Sequence, residues 1–218
     1  MNIISRPEWL TNKLQAHMEW LQTTGISGTQ FDATNQNLSG LNLAGANLRN
    51  AKLSNTDLSG TNLNGADLSD AKMLAVNLTG AQARGTNFSG ADLGANLTGG
   101  GVEHPAVRES VLNNADLSGS IMDRANFTSA KMLGVNLNGA SMRGTNLSGV
   151  DLGANLSGGT AKHPAVRVTT MNGADLTDAN LSSTNLAATN LSGVTMPLTS
   201  QAIPLPPRRS PRHTHSPN

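Results

Sequence analysis

The chain has 218 residues, a formal charge of +1 and no cysteine, a length that suits one domain or two small ones. Charged residues make up 13% and aromatics 2%, with no tyrosine, while 37% of the chain is apolar; this argues against a core closed around a centre, which leans on aromatics, and against a disordered chain, which is richer in charge. Disulfide scaffolds, thiolate zinc sites and thiol nucleophiles are excluded, no apolar run nears the roughly 18 residues of a membrane span, and the start MNIISRPEWL lacks the pattern of a secretory signal, so a cytoplasmic chain is expected.

Residues 5–24 read as a helix. Ser5 and Glu8 make a capping-box pair, Pro7 suits the first turn, and Gly25 stands where a C-terminal cap is expected. Leu10, Leu14, His17, Met18 and Leu21 share one face, flanked by Trp9 and Trp20.

A five-residue period then begins. From Leu38 an apolar residue recurs through Leu43, Leu48, Leu53, Leu58, Leu63, Leu68, Met73, Leu78, Ala83, Phe88 and Leu93. After a four-residue step to Leu97 the phase resumes from Leu112 to Leu152, a second such step reaches Leu156, and a last stretch runs from Met171 to Met196. A helix wants 3.6 and a strand 2, so this period needs a backbone that turns a corner once per unit. Two residues before each Leu sits a small residue, one before it Asn or Asp, and Ser or Thr and then Gly often follow.

That pattern, A-(D/N)-L-(S/T)-G over residues 36–196, resembles the pentapeptide-repeat family. The resemblance implies an all-β solenoid, a right-handed quadrilateral parallel β-helix with one pentapeptide per face and four per coil. Leu, Met or Phe and the small residue then point inward, polar residues face water, and Gly eases the corners. Counting every unit from Leu38 to Met196 gives 33 faces, about eight coils and a rod about 40 Å long. The helix, with both Trp, reads as the lid of the first coil, since an open solenoid end invites further chains; residues 17–28 also resemble the leader of bacterial members. The domains are 1–27, a capping helix; 28–196, the repeat; and 197–218, a tail.

The repeat holds a tandem duplication. Residues 71–120 match 130–179 at 32 of 50 positions, at an offset of 59. If every unit stays in the coil, the copies lie on one face about 14 Å apart. Each copy contains a departure from consensus, GGGVEHPAVRESV and GGTAKHPAVRVTT. Pro105 and Pro164 fall on the inward small position and cannot donate to a ladder, which favours a loop that leaves the coil and returns in phase. Glu103, His104, Arg108, Lys162, His163 and Arg167 are the candidate protein-contact residues of these loops. The last 22 residues hold six of the nine Pro with Arg208, Arg209, Arg212, His213 and His215, and read as a disordered basic tail whose PLPPRR segment has polyproline-ligand spacing.

No catalytic constellation, cofactor site or metal set is readable. The His residues are solitary in sequence, Asp92, Asp116, Asp151 and Asp175 occupy the outward repeat position and read as solvated, and the Gly clusters lack the Gly-Lys-Ser/Thr of a phosphate loop. The expectation is a non-catalytic protein–protein interaction scaffold with an unknown protein partner, no nucleic acid and no membrane. The resemblance also suggests gyrase-binding DNA mimics, but residues 36–196 carry 11 acidic and 10 basic side chains, too few net negatives for a DNA-like stripe. A secreted effector acting on a host protein and a homodimer through the C-terminal coil are left open.

Overall fold

The computed structural model describes residues 6–94, 109–153 and 168–197, with the backbone of residues 100–101, 104–105, 159–160 and 163–164. One helix, α1 (Glu8–Gln22), precedes the repeat. From Asp32 onward the residue just before each inward side chain bridges in parallel to its counterpart one coil later: Asp32 to Lys52, Asn37 to Asp57, Asn42 to Asn62, Asn47 to Asp67. Twenty residues are four pentapeptides, so four parallel ladders run along the molecule, one per side of a square tube.

Each face is tied to the next coil by the same bonds. Leu38 N–H donates to the Asp57 carbonyl at 2.8 Å, Asp57 N–H to Gln36 at 3.0 Å, and Gly40 N–H to Ser59 at 2.9 Å. Each corner is a turn: Leu41 N–H reaches back to the Leu38 carbonyl at 3.3 Å, and between them Gly40 sits at φ 69°, the sign a type II turn requires at its third residue. Asn or Asp often replaces Gly there, but Ala75 and Arg124 hold φ 54° and 59° without that excuse.

Among the described residues twenty-eight bridge, from Asp32 to Thr195, which is seven coils and a rod of about 34 Å. The expected 33 faces and eight coils are therefore too many. The count went wrong at the two departures from consensus, where Asp92 is followed on the next face by Val111, and Asp151 by Thr170. Both steps are 19 residues instead of five, so fourteen residues leave the coil each time; Leu97 and Leu156 lie outside the described residues.

Most faces hold one large and one small side chain inside; Leu41 beside Leu43 and Ala81 beside Ala83 are departures. Every large inward residue from Leu38 to Leu176 is 0–1% exposed, with alanines at 0–4% beside them up to Ala174. In the first face the two exchange places: Phe31 takes the small position and Ala33 the large one, both buried, so their combined volume is kept. Where the small residue is Thr or Ser, its hydroxyl finds a carbonyl, as in Thr56 to Ala33 at 2.8 Å and Thr86 to Leu63 at 2.7 Å. No buried side-chain polar atom among the described residues lacks a partner.

The helix closes the first coil, though with different residues and caps than expected. It starts at Glu8 with Pro7 as N-cap and no side-chain cap bond; Ser5 lies outside the described residues. At its other end Thr24, φ 53°, takes the left-handed position, while Gly25 N–H reaches the Trp20 carbonyl at 2.8 Å one residue later. Leu10, Leu14 and His17 are buried over the coil, but Trp9 is 49% exposed and belongs to no lid. Trp20 stacks on His17 with centroids 5.7 Å apart. Gly28, φ 77°, passes so close to the helix that a Cβ there would stand 2.3 Å from the Ala16 carbonyl oxygen. Four carbonyls on the open edge of the first coil receive donors from this cap: Asp32 from Lys13, Asn42 and Ala44 from Arg6, and Arg49 from His17.

His17 is wholly buried and held in one tautomer. Phe31 N–H donates to its Nδ1 at 3.0 Å, which leaves Nε2–H to donate to the Arg49 carbonyl at 3.0 Å. Burial lowers its pKa from the ordinary 6.5, against an opposing pull from the Arg49 carbonyl.

Two outcomes follow from this packing. A histidine kept neutral when folded gives no pH dependence above about 6.5, because both states are then neutral; below it the unfolded chain binds a proton that the folded chain refuses. The melting temperature of the protein thus falls as pH drops from about 6.5 towards about 5, and His17→Gln flattens that part of the profile; equal slopes in the two proteins would refute the assignment. At the corners, Gly60 has φ 63° and no atom within 4 Å of the position a Cβ would take, so Gly60→Ala costs about 1 kcal/mol through backbone strain alone. Ala75→Gly, which relieves such strain at some entropic cost, is neutral or stabilising by about 0.5 kcal/mol, both read by urea denaturation.

Candidate functional site

Among the described residues two segments interrupt the ladders, and both fold into hairpins. In the first, β1 (Gly100–Gly101) pairs antiparallel with β2 (His104–Pro105); in the second, β3 (Gly159–Thr160) pairs with β4 (His163–Pro164). Registers match: Gly101 faces His104 and Thr160 faces His163, with two residues joining each pair of strands. The HPAVR segments thus leave the coil, as Pro105 and Pro164 suggested. Of the candidate contact residues, His104 and His163 lie in β2 and β4, while Glu103, Arg108, Lys162 and Arg167 lie outside the described residues. No contact joins the two hairpins among the described residues.

Expelling fourteen residues changes where the copies sit. The offset of 59 becomes 45 within the coil, nine faces, so the second copy stands two coils and one face beyond the first. The stacked arrangement on one face, expected if every unit stayed in, does not occur. The first insert enters at the corner just before Val111 and the second leaves at the corner just after Asp151. Val111 bridges Lys131, and Lys131 bridges Asp151, so all three lie on one face. The hairpins bracket that face from opposite corners, about 10 Å apart along the axis.

The bracketed face carries charge and apolar surface of its own. Lys131 forms an ion pair with Glu109 at 2.6 Å, and its pKa is raised from the ordinary 10.5 by that hydrogen bond and charge. Val168, at the base of the second insert, is 44% exposed. Sequence reading did not single out this cluster, although Val111, Lys131 and Asp151 stand twenty residues apart with no insert between them, one coil each.

Each insert is closed at its base in the same way. Ser110 donates its hydroxyl to the Gly94 carbonyl at 3.2 Å, and Thr169 donates to Gly153 at 3.1 Å. These carbonyls also accept Ala75 N–H and Gly134 N–H, each at 3.2 Å. Both hydroxyls are buried, so the coil is sealed beneath the hairpins.

The outward acids are not simply solvated. Asp92, Asp116, Asp151 and Asp175 are half-buried, and each accepts the backbone N–H two residues on at 2.9–3.2 Å, holding the corner. Three also accept an Asn side chain from the next coil: Asn126 onto Asp92 at 2.9 Å, Asn136 onto Asp116 at 3.0 Å and Asn185 onto Asp151 at 2.7 Å. The Asp175 carboxyl is held below its usual range, first by the Thr177 hydroxyl and then by its N–H. Among the described residues no three His, Asp or Glu side chains converge to hold a metal, and no helix is long and apolar enough to cross a membrane.

A model of pentapeptide repeats matches residues 32–65, 61–99, 110–149, 120–159 and 169–196, in eight copies, and the chain belongs to the pentapeptide-repeat family. Among solved structures it is similar to QnrB1, a plasmid-mediated fluoroquinolone resistance protein, at 19% identity over 76% of this chain and 81% of that one, with a TM-score of 0.29. It is also similar to HetL, involved in heterocyst differentiation regulation in the cyanobacterium Nostoc, at 18% identity, 82% and 94% coverage and a TM-score of 0.24. Rfr23 of the cyanobacterium Cyanothece matches at 20% identity, 84% and 99% coverage and a TM-score of 0.25. At such TM-scores the likeness carries no argument, and membership rests on the repeat match. No curated protein matches the chain.

The sealed base has a measurable consequence. Thr169→Val removes a buried donor from the Gly153 carbonyl while keeping the side-chain shape, costing about 1 kcal/mol, and Ser110→Ala costs a similar amount. Hydrogen exchange at the neighbouring Val111 and Thr170 amides should quicken in the respective variants; unchanged stability and exchange in both would show that the hydroxyls hold nothing.

Proposed function

We propose that the protein is a non-catalytic interaction scaffold, a right-handed β-helical rod that presents the two hairpins and the face between them to a protein partner. The observation that carries this reading is the bracketing of the Val111–Lys131–Asp151 face by two related HPAVR inserts. Elsewhere the rod offers a partner little: its outward Asn and Asp side chains are largely engaged by their own corners and by the next coil. Surface function then falls to the segments that break the repeat, as it commonly does on rigid scaffolds. Glu103, His104, Arg108, Lys162, His163 and Arg167 are the contact residues of this reading. A topoisomerase-binding DNA mimic is the weaker reading, since the repeat has a net charge of about −1.

Deleting 95–108 and 154–167 together tests the proposal cleanly, because each deletion restores the five-residue step across the insert. The shortened rod should fold and keep its β-sheet circular dichroism, yet lose the proteins that the intact chain captures by affinity purification. Lys131→Glu, with both hairpins in place, should weaken the same captures at least tenfold. A partner set indifferent to all of these changes would sink the reading.

A further inference from the structure

The two ends of the rod differ. The first coil is closed by α1, whereas in the last coil the inward Leu181, Leu186, Leu191 and Met196 are only half-buried, in contrast to the 0–1% exposure of those before them. Val194 joins them at this open end of the core. Among the described residues no element covers it.

The backbone at this end has a definite polarity. Within the rod, each face sends two N–H groups towards the following coil and receives one back: Leu176 N–H reaches Thr195, Gly173 N–H reaches Ser192, and Thr195 N–H returns to Ala174. The last coil therefore presents two donors per face for one acceptor. The N–H groups of Leu181, Leu186, Leu191 and Met196 meet no carbonyl among the described residues. The first coil is the mirror case, rich in carbonyls, and its cap supplies donors from Arg6, Lys13 and His17. Whatever covers the last coil must be apolar and rich in acceptors.

The chain itself carries such a segment. It leaves the last coil at Pro197, with 21 residues still to come. Within 202–207, Ala202, Ile203 and Leu205 are apolar, and Pro204, Pro206 and Pro207 offer carbonyls without N–H groups. Ten residues at about 3.1 Å each reach about 31 Å, more than one five-residue face can span. Charge agrees: residues 168–197 contain Asp175 and Asp178 and no Lys or Arg, while the tail contains Arg208, Arg209 and Arg212 and no acid.

We propose that residues 198–218 fold back over the C-terminal coil, with 202–207 laid across Leu181, Leu186, Leu191 and Met196, and close the rod from within the same chain. A second copy is the rival occupant. Two copies end to end set one donor-rich edge against another, whereas the tail is tethered at an effective concentration in the millimolar range.

The full chain, a chain ending at Pro197, and the full chain carrying Ile203→Asp and Leu205→Asp are compared by thermal melting and sedimentation velocity. The expected result is a monomeric full chain, and a melting temperature about 5 °C lower in both altered chains. A labelled synthetic peptide of residues 198–213 should bind the truncated chain at least ten times more tightly than the full chain and restore its melting temperature. Equal melting temperatures with equal peptide binding would overturn the proposal. So would a full-length dimer that dissociates on introducing Leu186→Asp, because the end would then be covered by a second copy.

Discussion

Everything in this rod depends on a backbone that repeats its hydrogen bonds every twenty residues. A face of five residues makes three bonds to its neighbour coil, and those bonds fix which side chains point inward. A slip of one residue in any coil would turn its Leu outward, so register is enforced by burial as well as by the ladder. The tube rarely admits two large side chains per face, which is why alanine, threonine and serine recur two positions before leucine; Leu41 beside Leu43, in the first coil, stays only partly buried. It also explains the near absence of aromatics: three Phe suffice, and one of them is admitted only because Ala33 yields its place to Phe31.

The ladder tolerates insertion but not phase error. Fourteen residues are not a multiple of five, yet both inserts return the chain to the rung that continues the square. Loop-closure entropy rises slowly with length, so such an excursion costs little once its base is tied. Ser110 ties the first to the Gly94 carbonyl and Thr169 the second to the equivalent Gly153 carbonyl. A duplication that carries an out-of-phase insert also rotates its second copy: nine faces between copies is two turns and a quarter. The rotation sets the two hairpins on opposite corners of one face, a geometry that translation along the rod would not give.

The period itself was legible, because Leu at every fifth residue is incompatible with helix and strand alike, and the HPAVR loops were legible from Pro105 and Pro164. The coil count was not. Val102 and Val107 keep the five-residue phase of Leu112, and Ala161 and Val166 that of Met171, so the inserts could be counted as faces from sequence alone. The helix was legible as an element, and so was Gly25 at its end, which takes φ 88° and bonds the Trp20 carbonyl beside a left-handed Thr24; its start was not, since Pro7 is the N-cap and makes no side-chain cap bond. The outward Asp residues looked solvated because their Asn partners lie twenty or thirty-four residues away, a distance set by the coil and by the inserts together.

The polarity of the coil finally explains why capping one end matters more than capping both. A carbonyl-rich first edge and a donor-rich last edge are complementary, so uncapped rods would stack head to tail without limit, each junction repeating the ladder of the interior. The N-terminal cap removes that route: Arg6, just before helix α1, and Lys13 and His17 within it sit on the carbonyls, and Leu10 and Leu14 on the core. With the first edge closed, the last edge can meet only another last edge, where donors oppose donors and apolar burial alone favours contact. Among the described residues the last coil leaves Leu181, Leu186, Leu191, Val194 and Met196 half-buried, an apolar end small enough for a short stretch of acceptor-rich chain to cover.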